Sequence, residues 1–291
     1  MSVFCNTAAG QVDSISGALL DVDDLFVVRA QSEIDLTSLT DDELIDLYIS
    51  TYAESLRKQT VDESRLSAKG KLLLQLGYSY GFDRDDFDFS YHQHTLPRLR
   101  LRYRITDRIE LRGGWTGYTF NRTVDDLTGD SATNTRATDP FFGARILLTE
   151  QRKWIPQMAL TATTPFDVDG DRSFLNRFNP QVSLGYSYQV ASDWYLYGST
   201  GGVWTREGGD RFLDLQQSVG VSWLCHERWT LGLDWYGVFP EGARFHGMEH
   251  YLTPGVDFLL TPSSQIGVDT SFGLNDISPD FVMQLRFTIQ I

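Results

Sequence analysis

The chain has 291 residues, of which 41% are hydrophobic, 22% charged and 13% aromatic. Its 25 basic and 39 acidic side chains give a formal charge of −14, which excludes the cation-on-phosphate binding used by non-specific nucleic-acid proteins. The longest unbroken apolar runs are four residues, against about 20 for a membrane helix, and Cys5 and Cys225 are too few for a disulfide scaffold or a four-cysteine zinc site. Residues 1–66 are set apart by 13 acids against 4 bases, a net of −9, while the remaining residues hold 26 acids and 21 bases, a net of −5. The opening Met1-Ser2-Val3-Phe4-Cys5-Asn6 has neither the basic stretch nor the apolar stretch of a secretory signal. For an exported protein, the expectation is then a processed, altered or misassigned start. Thr40 and Glu43 form a capping box, and Leu44, Leu47 and Tyr48 follow on one stripe, which predicts a helix over about 40–58.

From about Lys71 the pattern changes to period two. Leu72, Leu74, Leu76, Tyr78 and Tyr80 alternate with Gln75, Gly77, Ser79 and Gly81. Leu99, Leu101, Tyr103 and Ile105 alternate with four arginines, and the same pattern recurs to Ile291. Twelve strands are predicted, at about 71–83, 93–105, 108–120, 138–149, 154–166, 178–191, 193–205, 211–225, 228–239, 247–260, 263–274 and 281–291. Short turns and longer loops alternate between them. Most strands exceed ten residues, longer than the roughly 5–6 of soluble sheets and matched to the about 9–11 of a tilted membrane crossing. Trp154, Trp194 and Trp229 follow short turns, while Phe120, Phe166, Trp204 and Phe239 sit near the opposite ends, as two aromatic girdles. The predicted fold is all-β: a twelve-stranded antiparallel up-and-down transmembrane β-barrel over 67–291, preceded by a short, partly helical extension over 1–66. Such a barrel places both of its ends on the short-turn, periplasmic side of a bacterial outer membrane, and leaves no backbone group unpaired in lipid. A soluble lipocalin-like barrel or sandwich is the competing fold.

Three stretches carry a resemblance. Leu101-Arg102-Tyr103-Arg104-Ile105-Thr106-Asp107-Arg108-Ile109-Glu110-Leu111, the stretch Thr163 to Asp171, and the closing Gly273-Leu274-Asn275-Asp276-Ile277-Ser278-Pro279-Asp280-Phe281 resemble motifs of the bacterial family named for the MetA pathway of phenol degradation. The resemblance covers about residues 70–291. It implies an outer-membrane barrel with a channel or uptake role for small solutes, including aromatic or hydrophobic compounds. Barrels of this kind usually end in an aromatic residue read by the assembly machinery, whereas this chain ends in Ile291 with the alternation of Phe287, Ile289 and Ile291 preserved.

If the apolar set faces lipid, the alternate set faces the lumen. Arg98, Arg100, Arg102 and Arg104 on strand two, with Arg112, Arg145 and Arg286, then form a basic wall; Asp214, Asp234, Glu249, Asp257 and Asp269 form an acidic wall opposite. Arginine facing lipid at mid-depth would cost about 2–4 kcal/mol. These twelve residues are the candidate solute contacts. Opposed walls would orient polar solutes; alternatively, a narrow barrel fills with ion pairs and serves as a structural or interaction barrel with a blocked lumen. The acidic extension is a third element, either a plug against the arginines or a periplasmic arm.

Enzymatic signals are weaker. Gly77-Tyr78-Ser79-Tyr80-Gly81 fits a G-x-S-x-G pattern but lies inside an alternating strand, not a strand–turn–helix elbow, leaving a lipid-modifying barrel enzyme as the third reading. His92 and His94 have no evident third ligand and read as a solvated loop pair rather than a metal site. Asp167, Asp169 and Asp171 have carboxylate spacing that suits Ca²⁺, but Phe178 occupies the position of the closing acid, favouring a solvated loop. Cys5 and Cys225 could pair if the N-terminus returned to the turn rim. No catalytic residue, metal or cofactor is assigned. The expected partners are outer-membrane lipids, a small-molecule solute and the barrel assembly machinery.

Overall fold

A computed structural model describes residue 67 and residues 69–84, 89–166, 180–207, 210–240 and 248–291. The expected helix over 40–58, the loop carrying Asp167, Asp169 and Asp171, and Cys5 with its pairing lie outside these residues. The strands are β1 (Leu72–Arg84), β2 (Phe89–Arg104), β3 (Ile109–Trp115), β4 (Tyr118–Asp125), β5 (Ser131–Ala137), β6 (Pro140–Thr149), β7 (Gln157–Pro165), β8 (Gln181–Ala191), β9 (Trp194–Glu207), β10 (Asp210–His226), β11 (Trp229–Pro240), β12 (Glu249–Thr261), β13 (Ser264–Gly273) and β14 (Phe281–Gln290). Each pairs antiparallel with its neighbours, and β1 pairs with both β14 and β2, closing the sheet. β3 with β4, and β5 with β6, are two long staves each divided into two segments. The fourteen segments therefore make twelve staves, as the alternation predicts.

Several boundaries differ from the sequence reading; β2, for example, begins at Phe89, not 93. Residues 121–137, expected as a loop, continue as the β4–β5 hairpin, because the alternation of Tyr118, Phe120 and Arg122 runs on past the membrane level. Its turn is held by the Asp125 carboxylate, which accepts hydrogen bonds from the backbone N–H of Leu127 at 2.9 Å and of Thr128 at 3.2 Å. The stave breaks at Thr116-Gly117, where Gly117 takes φ +79° and its Cα would hold a Cβ against the Leu96 and Pro97 backbone. Strand seven begins at Gln157, not 154. An isolated bridge between Arg152 and Ile155 closes the turn before it, leaving Trp154 89% exposed.

The packing is that of a sheet closed on itself, with an apolar exterior. Leu73 and Leu259 form a small buried apolar cluster. Leu76, Leu101, Leu111, Ile146, Leu196, Leu231 and Leu285 are all exposed. A water-soluble chain would hide such residues; contiguous exposed apolar surface marks contact with lipid or a partner. Aromatic pairs frame this surface. Trp194 stacks on Trp223 with centroids 5.5 Å apart, and Trp229 lies 4.6 Å from Phe258.

The chain reaches β1 from inside. Lys69 pairs in parallel with Arg104, at the turn end of β2. Gly70, at φ +72°, then reverses the chain into β1, which is antiparallel to β2. Ser67 is fully buried and donates its backbone N–H to Glu110 at 2.6 Å.

Candidate functional site

The register fixes which side chains share a face. Gly77 of β1 lies opposite Arg98 of β2 and Arg286 of β14, so these three occupy one level on one face. That face is the lumen, since the alternate set (Leu76, Leu99, Leu285) belongs to the apolar exterior.

At mid-depth, Arg286 Nη2 donates to Asp269 at 2.9 Å and to Asp257 Oδ1 at 3.3 Å. Arg98 Nη1 donates to Gln284 at 2.7 Å. Asp234 of β11 meets the Tyr197 hydroxyl of β9. Its Oδ1 is buried without a hydrogen-bond partner, as is Arg286 Nε. Each of these carboxylates leans over a glycine on the neighbouring strand: Asp234 over Gly220, Asp269 over Gly255 and Asp257 over Gly267. A Cβ at any of the three would collide with a carboxylate oxygen, so the absent side chain is what lets the aspartates lie flat against the wall.

Lower down, near the short turns, Glu110 is fully buried among arginines. It accepts from Arg102 Nε at 3.0 Å, from Arg102 Nη2 at 3.2 Å and from Arg112 Nε at 2.9 Å. Arg145 pairs with Glu110 in register, is 1% exposed, and donates to Thr161 at 2.9 Å. Arg104 serves the rim instead: its guanidinium caps the carbonyls of Thr106 at 3.1 Å and Asp107 at 2.7 Å. Arg100 is exposed although it faces inward, so the lumen is open to water beside it. Nearer the loop rim, Glu249 accepts from the Tyr251 hydroxyl at 2.7 Å, and Asp214 of β10 sits in register between Val203 and Pro240.

This differs from the expected opposed walls. Arg286 is compensated by carboxylates on β13 and β12, the next two strands on one side, and the lower arginines by a carboxylate within their own group. The reason is reach: lateral neighbours in a sheet are about 5 Å apart, much closer than the far side of the barrel. The side facing the β12–β14 charges carries a stretch of small residues, with Gln181 and Tyr197 at its margins. Thr161 and Thr163 of β7, Ser183 and Gly185 of β8, and Ser199 and Gly201 of β9 share the lumenal face, with Ser199 and Ser218 hydroxyls 2.9 Å apart.

Sequence reasoning passed over Glu110 and Tyr197. Glu110 has the parity of Arg112, and Tyr197 that of Ser199, so alternation alone places both in the lumen. Ser79, in the G-x-S-x-G stretch, sits mid-strand in β1 opposite Thr95, with no elbow. His92 and His94 are not a loop pair but lie within β2, and among the described residues no third metal-ligating side chain joins them.

The family model described as "Putative MetA-pathway of phenol degradation" matches residues 99–291, more than half of the sequence. The chain belongs to that family. No curated protein matches it. Among solved structures, this phenol-degradation family member is similar to the COG4313 outer membrane channel from Pseudomonas putida F1, with 13% identity and a TM-score of 0.59. That match covers 79% of this chain and 98% of the other, and the two share the barrel fold. The transport unit of the autotransporter AIDA-I from Escherichia coli is 10% identical with a TM-score of 0.49, over 81% of this chain and 96% of the other.

Proposed function

We propose that the protein is a bacterial outer-membrane channel for small solutes, hydroxylated aromatic compounds among them, with both barrel ends facing the periplasm. One observation carries this reading: the lumen is asymmetric, with charged side chains on β12–β14 and β2 facing a stretch of serine, threonine and glycine on β7–β9, bounded by Gln181 and Tyr197. Small residues on one side leave room beside the charges. The lumenal guanidiniums and carboxylates supply both donors and acceptors, which suits a phenolic hydroxyl. The family's description supports the aromatic class. No covalent step is required, and Ser79, on the lumenal face of β1, has no place beside a lipid ester.

A second reading, a barrel with a blocked lumen, draws on the lower end, where Glu110 and Arg145 are buried and Leu73 packs with Leu259. Ser67 itself lies against lumenal Glu110. Planar-bilayer recording of the full chain and of a variant lacking residues 1–66 tests the proposal. The channel reading expects openings, larger in the truncated form, that are reduced by added phenolic solutes. Silence from both forms would replace it with the blocked barrel. The Phe281–Ile291 end offers the alternating stretch for the assembly machinery; an in vitro folding assay with and without that machinery tests this.

A further inference from the structure

The outer wall carries a polar cluster where apolar side chains are the rule. Tyr80 of β1 lies opposite His94 of β2 and Met283 of β14, and His92 lies opposite Arg122 of β4. Tyr78 and Tyr80 continue the face of exposed Leu76, so the whole set points away from the lumen. Tyr78, Tyr80, His92, His94, Arg122 and Met283 line a surface cavity of about 390 Å³.

The cluster sits at a defined depth. Tyr118 and Phe120, both exposed, lie just below Arg122 on β4, at the level where belt aromatics meet headgroups. Arginine costs about 2–4 kcal/mol against mid-bilayer lipid but only about 0–1 kcal/mol near the interface, so Arg122 fits the headgroup zone.

Its chemistry is that of an anion site. The Tyr78 hydroxyl lies 2.7 Å from His94 Nδ1, and the Tyr80 hydroxyl 2.9 Å from His92 Nδ1. When each phenol donates to Nδ1, the ring proton resides on Nε2, which becomes a donor. Arg122 makes no ion pair among the described residues. Asp126, the nearby carboxylate, is engaged by Arg84 at 3.3 Å and by the Ser90 hydroxyl at 2.7 Å. An arginine fork and two imidazoles thus converge without a counter-charge among the described residues, above an apolar strip formed by Leu76, Leu99 and Leu285.

We propose that Tyr78, Tyr80, His92, His94 and Arg122 form an external site for the phosphate-bearing headgroup of an outer-leaflet lipid, whose acyl chains lie along that strip. The lipid is chosen over a soluble phosphate because the site opens onto the lipid-facing wall. The assignment rests on the outer-membrane placement of the barrel, but not on solute passage, so bilayer conductance and lipid binding fail independently.

The test is native mass spectrometry of the full-length protein in detergent with lipid A, with dephosphorylated lipid A, and with inorganic phosphate as competitor. Wild type is expected to retain lipid A about tenfold better than the dephosphorylated form, since a charge-assisted hydrogen bond of this kind carries at least that much discrimination. Arg122→Gln, and separately His92→Phe with His94→Phe, should remove the preference while preserving heat-modifiable mobility on gels. Equal retention of the two lipids by wild type overturns the proposal whether or not a variant folds. Displacement of lipid A by millimolar inorganic phosphate overturns the lipid assignment in favour of a soluble anion. Unchanged lipid A retention in a folded Arg122→Gln protein overturns the residue assignment.

Discussion

Replacing Glu110 by Ala should destabilise the barrel more than any single exposed charge change. Two regimes differ by severalfold: an exposed ion pair is worth about 0–1 kcal/mol, whereas removing one partner of a buried pair costs about 3–5 kcal/mol, because the other charge is left uncompensated. Exposure decides between them. The side chain of Glu110 is 0% exposed, and those of Arg102 and Arg112 are 11% and 15% exposed. Two guanidiniums and the Ser67 N–H lose their acceptor at once, so the expected loss lies at the upper end of about 3–5 kcal/mol. Adding Arg112→Leu removes one stranded cation. The double variant should therefore be more stable than the sum of the two single losses predicts, by about 1–3 kcal/mol. Urea unfolding in lipid vesicles, followed by tryptophan fluorescence, measures both quantities. A Glu110→Ala loss below about 1 kcal/mol, or strict additivity in the double variant, would refute the claim that this carboxylate holds the lower lumen together.

Four further outcomes follow from the same geometry. Leu76→Arg on the lipid face should cost about 2–4 kcal/mol in the same unfolding assay, while Gln75→Glu on the lumenal face, opposite Arg100, should be nearly neutral. Gly267→Ala pushes a Cβ into Asp257 and should cost about 1–3 kcal/mol; made in a chain already carrying Asp257→Ala, it should add much less. Ser199→Phe fills the small-residue wall and should lower single-channel conductance severalfold without shifting the unfolding midpoint. In the β4–β5 turn, the Thr128 hydroxyl and the Thr128 and Leu127 amides hold the Asp125 carboxyl below its ordinary range. That contribution is complete above the ordinary carboxylate value of about 3.9 and is lost as pH falls through the lowered one, so the protection of the Leu127 and Thr128 amides, taken relative to the intrinsic exchange rate at each pH, should be flat from neutral pH to about 4 and fall below it.

The strands were legible because one rule, alternation, applies along every stave and both of its consequences are visible in the residue types. Leu99 to Arg104 could be assigned face by face without knowing a neighbour. What alternation cannot supply is register. The meeting of Asp257 with Gly267, or of Asp234 with Gly220, depends on how far one strand is shifted along the next, and no residue type announces that shift. The expectation of opposed walls failed for this reason: it counted charges by strand and not by lateral distance. Glu110 was open to the same parity argument as Arg112 and shows how a search for walls of one sign overlooks the residue that neutralises them. The β4–β5 hairpin was read as a loop because Ser131 to Ala137 carries little apolar alternation; that strand is held by backbone pairing to β4 while its side chains stay exposed.

One irregularity organises both polar sites. Between Gly77 and Ser79 of β1 there is one residue, while between their partners Arg98 and Thr95 on β2 there are two, Leu96 and Pro97. The extra residue is a β-bulge, and a shift of one residue exchanges the faces of everything beyond it. Arg98, Arg100, Arg102 and Arg104 share even numbering with His92 and His94, and an unbroken strand would have sent all six to the same side. With the bulge, the arginines enter the lumen, where Glu110 and Gln284 receive two of them, and the histidines turn outward to meet Tyr78 and Tyr80. An even-numbered run on the lumenal side throughout would have added two imidazoles to an already basic stretch and left the outer wall without its donors. The charged lumen and the external donor cluster are therefore two products of a single inserted residue in β2.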